Sequence, residues 1–185
     1  MKILGIDPGY ERVGIAVLEK PARNAFSIAN AGGNKGDKKP FDKAQGKEKV
    51  LFSKCFKTSA KLEFNERLLL IGKEIRTIIK KFKPEILAIE TLFLTTNQKT
   101  VMHVAEVRGI IIYEASLAGL KIFEASPPQI KIATTGYGKA NKEQVMKMVK
   151  ILVDVDNLKK SDDELDAIAI ALTAFACERK SGISF

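Results

Sequence analysis

The chain is poor in the residues that cross-link or anchor a small protein. Cys55 and Cys177 are its only cysteines among 185 residues, which excludes a disulfide framework and a cysteine-based zinc site. No apolar run reaches the ~18 residues that a membrane-spanning helix needs. The first residues place one lysine before a strand-like run, which is not the form of a signal peptide. We therefore expect a soluble protein of a reducing compartment with no membrane partner.

Charge is abundant, and one sign predominates. Thirty-one Lys and Arg residues stand against 22 Asp and Glu residues, which gives a net charge of +9. Such a surplus favours a polyanionic partner, most commonly nucleic acid, although solubility alone is the simpler explanation. An apolar content of 45% excludes an intrinsically disordered chain. The length suits one compact domain, so we expect residues 1–185 to form a single domain.

The distribution of apolar residues predicts an α/β fold around a mixed central sheet. Strands come first and then alternate with helices, which is the order of a sheet with helices packed against it. The first two strands, joined at Pro8-Gly9, are predicted as an antiparallel hairpin, and the fifth as a buried parallel strand. The predicted strands are Lys2–Asp7, Val13–Glu19, Ala25–Ala31, Leu51–Lys57, Glu85–Glu90 and Lys121–Ala125. The predicted helices are Leu62–Phe82, Gln98–Leu117, Asn141–Leu152 and Ser161–Arg179.

One segment interrupts this pattern. Gly33–Val50 holds six lysines with little apolar periodicity, and it is predicted to be a basic, flexible loop inserted into a hairpin. A DNA-contacting arm is the alternative explanation.

Four acidic residues occupy positions where acids are normally disfavoured. Asp7 and Glu90 each end an apolar strand, while Asp163 and Asp166 are three residues apart on one side of an apolar helix. Each has a structural explanation alone, such as the Asp-Pro-Gly turn or the charge preference of a helix N-terminus. If the two strands and the helix converge, however, the carboxylates repel one another and need cations between them.

This set of oxygen ligands indicates a particular chemistry. Carboxylates without His or Cys partners favour Mg²⁺ or Mn²⁺ over zinc. Paired divalent ions held by Asp and Glu serve in-line displacement at phosphorus. A basic protein with such a site is predicted to be a nuclease or another phosphoryl-transfer enzyme.

Five short motifs also occur in order along the chain. They are Gly5-Ile6-Asp7-Pro8-Gly9, Ala88-Ile89-Glu90, Phe93 with Asn97, Arg108-Gly109, and Asp163-x-x-Asp166-Ala167-x-Ala169. Together they resemble the RuvC type of Holliday junction resolvase, a homodimeric endonuclease with an RNase H-like fold. The resemblance runs from Met1 to about Thr173, with residues 33–50 as the main departure.

The resemblance implies roles for individual residues. The four acids would be catalytic ligands of two Mg²⁺ ions per site, which Mn²⁺ can replace. Phe93 would stack on a base near the junction centre, although its simpler interpretation is a core residue. The other DNA-binding positions are Lys131, Lys139, Lys142 and Arg108. His103, the single histidine, has no metal-spaced partner, so no catalytic role is expected for it.

The same resemblance implies partners and a place of action. It points to four-way DNA junctions nicked symmetrically in recombination and repair, a homodimer, the branch-migration proteins RuvA and RuvB, and the nucleoid in the cytoplasm. Two alternatives stay open, namely a related RNase H-like nuclease that acts on another nucleic acid and a non-cleaving junction-binding module. An actin-like or sugar-kinase ATPase is excluded, because such proteins need two lobes and the chain is too short for them.

Overall fold

The computed structural model describes residues 1–20, 48–92, 98–154 and 160–181. The strands are β1 (Lys2–Asp7), β2 (Arg12–Glu19), β3 (Glu48–Lys57), β4 (Ile86–Glu90), β5 (Lys121–Ala125) and β6 (Val153–Asp154). The helices are α1 (Phe64–Phe82), α2 (Gln98–Leu117), α3 (Pro127–Thr135), α4 (Lys142–Leu152) and α5 (Asp162–Ser181). The predicted α/β class is thus observed in the described residues.

The strands form one mixed sheet in the order β5-β4-β1-β2-β3-β6. The pair β1–β2 is antiparallel, as predicted for the hairpin, and the pair β2–β3 is antiparallel too. The pairs β1–β4 and β4–β5 are parallel, as predicted for the fifth strand of the sequence. Ile6 in β1 lies opposite Ile15 of β2 and Ile89 of β4. The strand that ends in Asp7 is therefore held from both sides.

Helices cover both faces of the sheet because consecutive strand residues, whose side chains point to opposite faces, are apolar. In β1, Leu4 and Ile6 belong to a core shared with α1 and α2, whereas Ile3 belongs to a second core shared with α3, α4 and α5. Helix α5 is buried almost continuously from Leu165 to Phe175. Its predicted packing on the sheet is confirmed, and it brings its first turn to the end of β1 where Asp7 lies.

Three features differ from the sequence-based expectation. Helix α3 was not predicted, and it begins after Ser126, whose hydroxyl accepts from the Gln129 N–H in a capping box. The two-residue strand β6 was also not predicted. Strand β3 begins at Glu48 because Lys49 pairs with Glu19 of β2. The loop prediction is therefore wrong for residues 48–50, which add to the sheet.

Two other expectations concern parts of the chain that the structure does not describe. The predicted strand Ala25–Ala31 and residues 33–47 of the predicted insertion lie outside the described residues. Within the described ranges, no helix combines the length and apolarity that crossing a membrane requires.

Candidate active site

Asp7 and Glu90 lie side by side at the carboxyl ends of two neighbouring strands. Strands β1 and β4 are parallel, and their register pairs Ile6 with Ile89. The next residue of each strand is the acid, so the two carboxylates leave the sheet at the same edge. This placement follows directly from two apolar strands that each end in an acidic residue.

Helix α5 reaches the same edge because two glycines let it approach the sheet closely. A Cβ atom at Gly5 would lie 2.2 Å from the carbonyl oxygen of Ala167. A Cβ atom at Gly14 would lie 2.0 Å from the carbonyl oxygen of Asp163 and 3.2 Å from Cβ of Asp7. Only glycine leaves room for these contacts. The first turn of α5 is therefore held against the end of β1.

Three of the four predicted acids line one cavity. Asp7, Glu90 and Asp166 face a space of about 240 Å³. Lys131 of α3 and Lys142 of α4 line it too. Segments that are far apart in the chain thus bring three of the four predicted carboxylates into one cavity, together with two lysines that the family resemblance implied.

Asp163 lies beside this cavity and has partners of its own. Its Oδ2 atom accepts a hydrogen bond from Sγ of Cys55 at 3.3 Å and lies 3.8 Å from Nη1 of Arg12. Burial, followed by the hydrogen bond to Asp163, raises the pKa of the Cys55 thiol. Neither contact has a local sequence signal, because both depend on how α5 packs against β2 and β3.

Burial and mutual repulsion raise the pKa values of the carboxyl groups in the cavity. Burial raises the pKa of Asp7 to about 7, and the charges of Asp166, Glu90 and Asp163 add to the effect. Burial and then the Asp166 charge raise the pKa of Glu90. Burial also raises the pKa of Asp166 despite the nearby Lys142. A cation among these groups would favour their ionised forms.

Lys142 supplies part of that positive charge. Its Nζ atom lies 3.3 Å from Oδ2 of Asp166 and 3.4 Å from Oδ2 of Asp162. Burial lowers the pKa of Lys142, but the two aspartates outweigh it and raise the pKa overall. The lysine is the first residue of α4 after the Asn141 cap. It therefore bridges the start of α4 and the first turn of α5.

The acidic side chains have the chemistry of ligands for a divalent metal, but they do not surround a common ion position. Within the described ranges, no three Asp, Glu, His or Cys side chains are arranged as ligands of a single ion. Lys142 holds Asp166 in an ion pair, and Arg12 approaches Asp163. The oxygen-only donors and the raised pKa of Asp7 are what a hard divalent cation would satisfy. Binding of a divalent ion by Asp166 would require the ammonium group of Lys142 to move away from that carboxylate.

Arg108 makes two contacts that the sequence did not predict. Its Nε atom donates to the backbone oxygen of Glu90 at 3.0 Å, and its Nη2 atom donates to the Glu124 carboxylate. The guanidinium thus ties the ends of β4 and β5 to helix α2. This arrangement fixes the backbone that carries Glu90.

The remaining predicted DNA-binding residues differ in their relation to the cavity. Lys131 lies on α3 and lines the cavity, while Lys139 is exposed between α3 and α4. Phe93 lies outside the described residues, so its stacking role stays a prediction. His103 stacks on Phe64 with ring centroids 4.1 Å apart.

Comparison with known proteins identifies the relatives of this fold. The family model of the crossover junction endodeoxyribonuclease RuvC matches residues 40–174. The protein of that name from Fusobacterium nucleatum is 36% identical over 94% of this chain and 79% of its own length. The one from Caldanaerobacter subterraneus is 39% identical over 93% of this chain and 90% of its own length. The structure of Thermus thermophilus RuvC with a Holliday junction substrate superposes with a TM-score of 0.80 at 26% identity, covering 98% of this chain and 96% of the other. The predicted RNase H-like fold is thereby confirmed.

Proposed function

Because the chain belongs to the RuvC family of crossover junction endodeoxyribonucleases, we propose that the carboxylate cavity at the end of β1 is the centre at which it cuts DNA. The protein is an endonuclease that hydrolyses phosphodiester bonds and resolves four-way Holliday junctions in recombination and repair. The observation that carries the proposal is the convergence of Asp7, Glu90 and Asp166 on one cavity. We propose that residues 1–185 act as one nuclease domain.

The family is one of metal-dependent nucleases, and we propose Mg²⁺ as the metal here, with Mn²⁺ as a substitute. Asp7, Glu90, Asp163 and Asp166 would hold two ions. When bound, such ions activate the attacking water and stabilise the leaving oxygen of an in-line displacement. The carboxylates would orient the ions, and because the pKa values of Asp7, Glu90 and Asp166 are raised, metal binding would release protons and strengthen with increasing pH.

The lysines around the cavity are proposed to bind the DNA backbone. Lys131 and Lys142 line the cavity itself, and the exposed Lys139 lies between their helices. Ammonium groups at these positions would hold phosphates next to the carboxylates and offset the repulsion between them. Phe93 completes the proposed DNA-binding set by stacking on a base. Arg108 was also predicted to bind DNA, but its bonds to Glu90 and Glu124 favour positioning of the Glu90 backbone instead.

Arg108 offers a test of positioning against direct DNA contact. We expect Arg108→Lys to weaken binding of Ca²⁺ about tenfold, since lysine cannot span the Glu90 carbonyl and the Glu124 carboxylate as a guanidinium does. Calorimetric titration measures this affinity. Arg108→Gln should leave the salt dependence of junction binding unchanged. A fall of about one in that slope would instead assign Arg108 to a phosphate contact.

Two symmetric cuts require two copies of the cavity, so we propose a homodimer. Helix α2 is the proposed contact element because it carries apolar side chains that the protomer leaves uncovered. Met102, Tyr113 and Leu117 are each more than half exposed, at 63%, 56% and 65%. RuvA and RuvB are proposed as further partners, and the nucleoid in the cytoplasm is the proposed place of action because the substrate is chromosomal DNA.

Cleavage of matched substrates tests the proposed function. We expect paired nicks in a synthetic four-way junction in Mg²⁺ buffer, and at least about tenfold slower cutting of a linear duplex with the same arm sequences. The comparison should be made at equal DNA and protein concentration by gel analysis of end-labelled strands. Equal cutting of both substrates would indicate a related nuclease with another target. Junction binding without cutting would indicate a non-cleaving module.

A further inference from the structure

A second cleft lies where the β1–β2 turn meets the beginnings of α1 and α2. Its volume is about 410 Å³, and it shares no lining residue with the carboxylate cavity. Its walls include three aromatic rings, those of Tyr10, Phe64 and His103. Tyr10 and Phe64 pack against the core formed by α1 and α2, whereas Asp7 faces α5. The cleft is therefore a separate surface feature.

The three rings form one cluster that borders open space. Phe64 and His103 are stacked with their planes 21° apart, and Tyr10 meets His103 edge-on at 5.2 Å between centroids. Tyr10 also meets Phe64 edge-on at 6.5 Å. All three residues are half-buried and line the cleft. Rings that are held rigidly beside a cleft are stacking surfaces for nucleobases.

Arg67 gives the cleft a buried positive charge. The residue is 8% exposed, and its Nε atom donates to the backbone oxygen of Leu62 at 3.2 Å. Its guanidinium carbon lies 6.0 Å from the centroid of the Tyr10 ring. Among the described residues, no carboxylate forms an ion pair with it, whereas buried charges in proteins are normally paired. An acceptor oxygen in the cleft would supply the missing partner.

We propose that this cleft binds one unpaired nucleotide of the DNA substrate, with its base against Tyr10 and His103 and its acceptor oxygens within reach of Arg67. The exposed Glu11, which also lines the cleft, could then accept only from an amino group of the base, because a carboxylate repels phosphate. The proposal rests on the junction-cutting function, because that function brings DNA to this edge of the sheet.

The cleft lies within reach of a strand bound at the carboxylate cavity. Tyr10 follows Asp7 by three residues, so their Cα atoms are separated by at most about 11 Å. This distance equals about three base steps of 3.4 Å along one strand. A nucleotide in the cleft would therefore be one to three positions from the phosphate at the carboxylates.

Photocross-linking tests the proposal directly. The full chain is irradiated with four-way junctions that carry 5-iododeoxyuridine at each position within four nucleotides of the cut, and adducts are mapped by mass spectrometry. We expect adducts on Tyr10 or His103 from labels one to three nucleotides from the cut. Adducts confined to other residues would overturn the proposal.

Paired variants separate stacking from folding. Tyr10→Leu with His103→Leu keeps apolar bulk but removes the rings, whereas Tyr10→Phe with His103→Phe keeps them. We expect the leucine variant to lose the adducts and to bind a ten-nucleotide single-stranded DNA about tenfold more weakly. The phenylalanine variant should bind within about twofold of the original protein. Equal binding by both variants, at equal thermal stability, would contradict a stacking role.

The outcome for the cleft can be distinguished from that for the proposed function. Binding of short single-stranded DNA does not require junction cutting, so the cleft can be confirmed in a protein that fails to cut junctions. Conversely, normal junction cutting with no adduct on Tyr10 or His103 would overturn the cleft alone.

Discussion

Asp7→Asn is expected to abolish nicking of four-way junctions while leaving junction binding intact. Asparagine keeps the size of the side chain but removes the carboxylate that lies between the other acids of the cavity. Loss of a metal ligand removes several kcal/mol of stabilisation from the transition state, so cleavage should fall by about 10³-fold or more. Single-turnover cleavage in Mg²⁺ and gel-shift binding in Ca²⁺ measure the two effects. Retained nicking would refute the assignment of Asp7.

The same variant carries an internal control for folding. The pKa of Asp7 rises from 3.8 to about 7 in the folded protein. Its folded form therefore resists ionisation, and the stability of the metal-free protein falls as the pH increases from about 4 to about 7. Asparagine does not ionise, so Asp7→Asn should unfold at higher urea than the original protein at pH 8. That advantage, of a few kcal/mol, should shrink by more than half at pH 5.

These urea midpoints decide how inactivity is explained. An inactive Asp7→Asn protein that is also less stable at pH 8 would point to misfolding instead of a lost ligand. Added Mg²⁺ should stabilise the original protein at pH 8 and have a much smaller effect on the variant.

Gly14→Ala is expected to damage both stability and catalysis. The new Cβ atom would lie 2.0 Å from the Asp163 carbonyl oxygen, a distance that no side-chain rotation can relieve because the contact is with backbone. Helix α5 must move away from the sheet and take Asp163 and Asp166 with it. We expect a loss of about 3 kcal/mol in unfolding free energy, at the upper end for an overpacked core, and at least tenfold slower cleavage.

Gly109→Ala is the matched control for this substitution. A Cβ atom at Gly109 meets no described atom within 4 Å, and the residue lies inside helix α2. Alanine there should be neutral or stabilising by up to about 1 kcal/mol. Urea unfolding of both variants makes the comparison. Equal stability of Gly14→Ala and the original protein would mean that α5 is not held against β2 as described.

The sequence predicted best those features that a local pattern of apolar and acidic residues encodes. Apolar strands that end in Asp7 and Glu90, and a helix with Asp163 and Asp166 in its first turns, predict an acidic cluster from the sequence alone. Helix α2 was predicted with the bounds that the structure shows. These features can be predicted because the spacing of apolar residues along a short segment shows which of its faces will be buried.

What could not be predicted depends on contacts between distant segments. Helix α3 is an exception, because the capping box Ser126-x-x-Gln129 and the proline at its first position are local signals that could have predicted it. The bond from Arg108 to the Glu90 carbonyl and the bridge from Lys142 to Asp166 have no local signature. They follow from how helices pack on the sheet, which a single sequence does not record.

The position of α5 in the chain affects when the site can form during protein synthesis. Asp163 and Asp166 lie on the last helix, whereas Asp7 lies on the first strand. Protein synthesis runs from the first strand to the last helix, so a nascent chain that has exposed β1 to β5 still lacks half of its acids. If the four acids are the metal ligands proposed above, such a chain cannot nick DNA beside the ribosome, because the site is complete only after Asp166 has been synthesised and α5 has packed on the sheet.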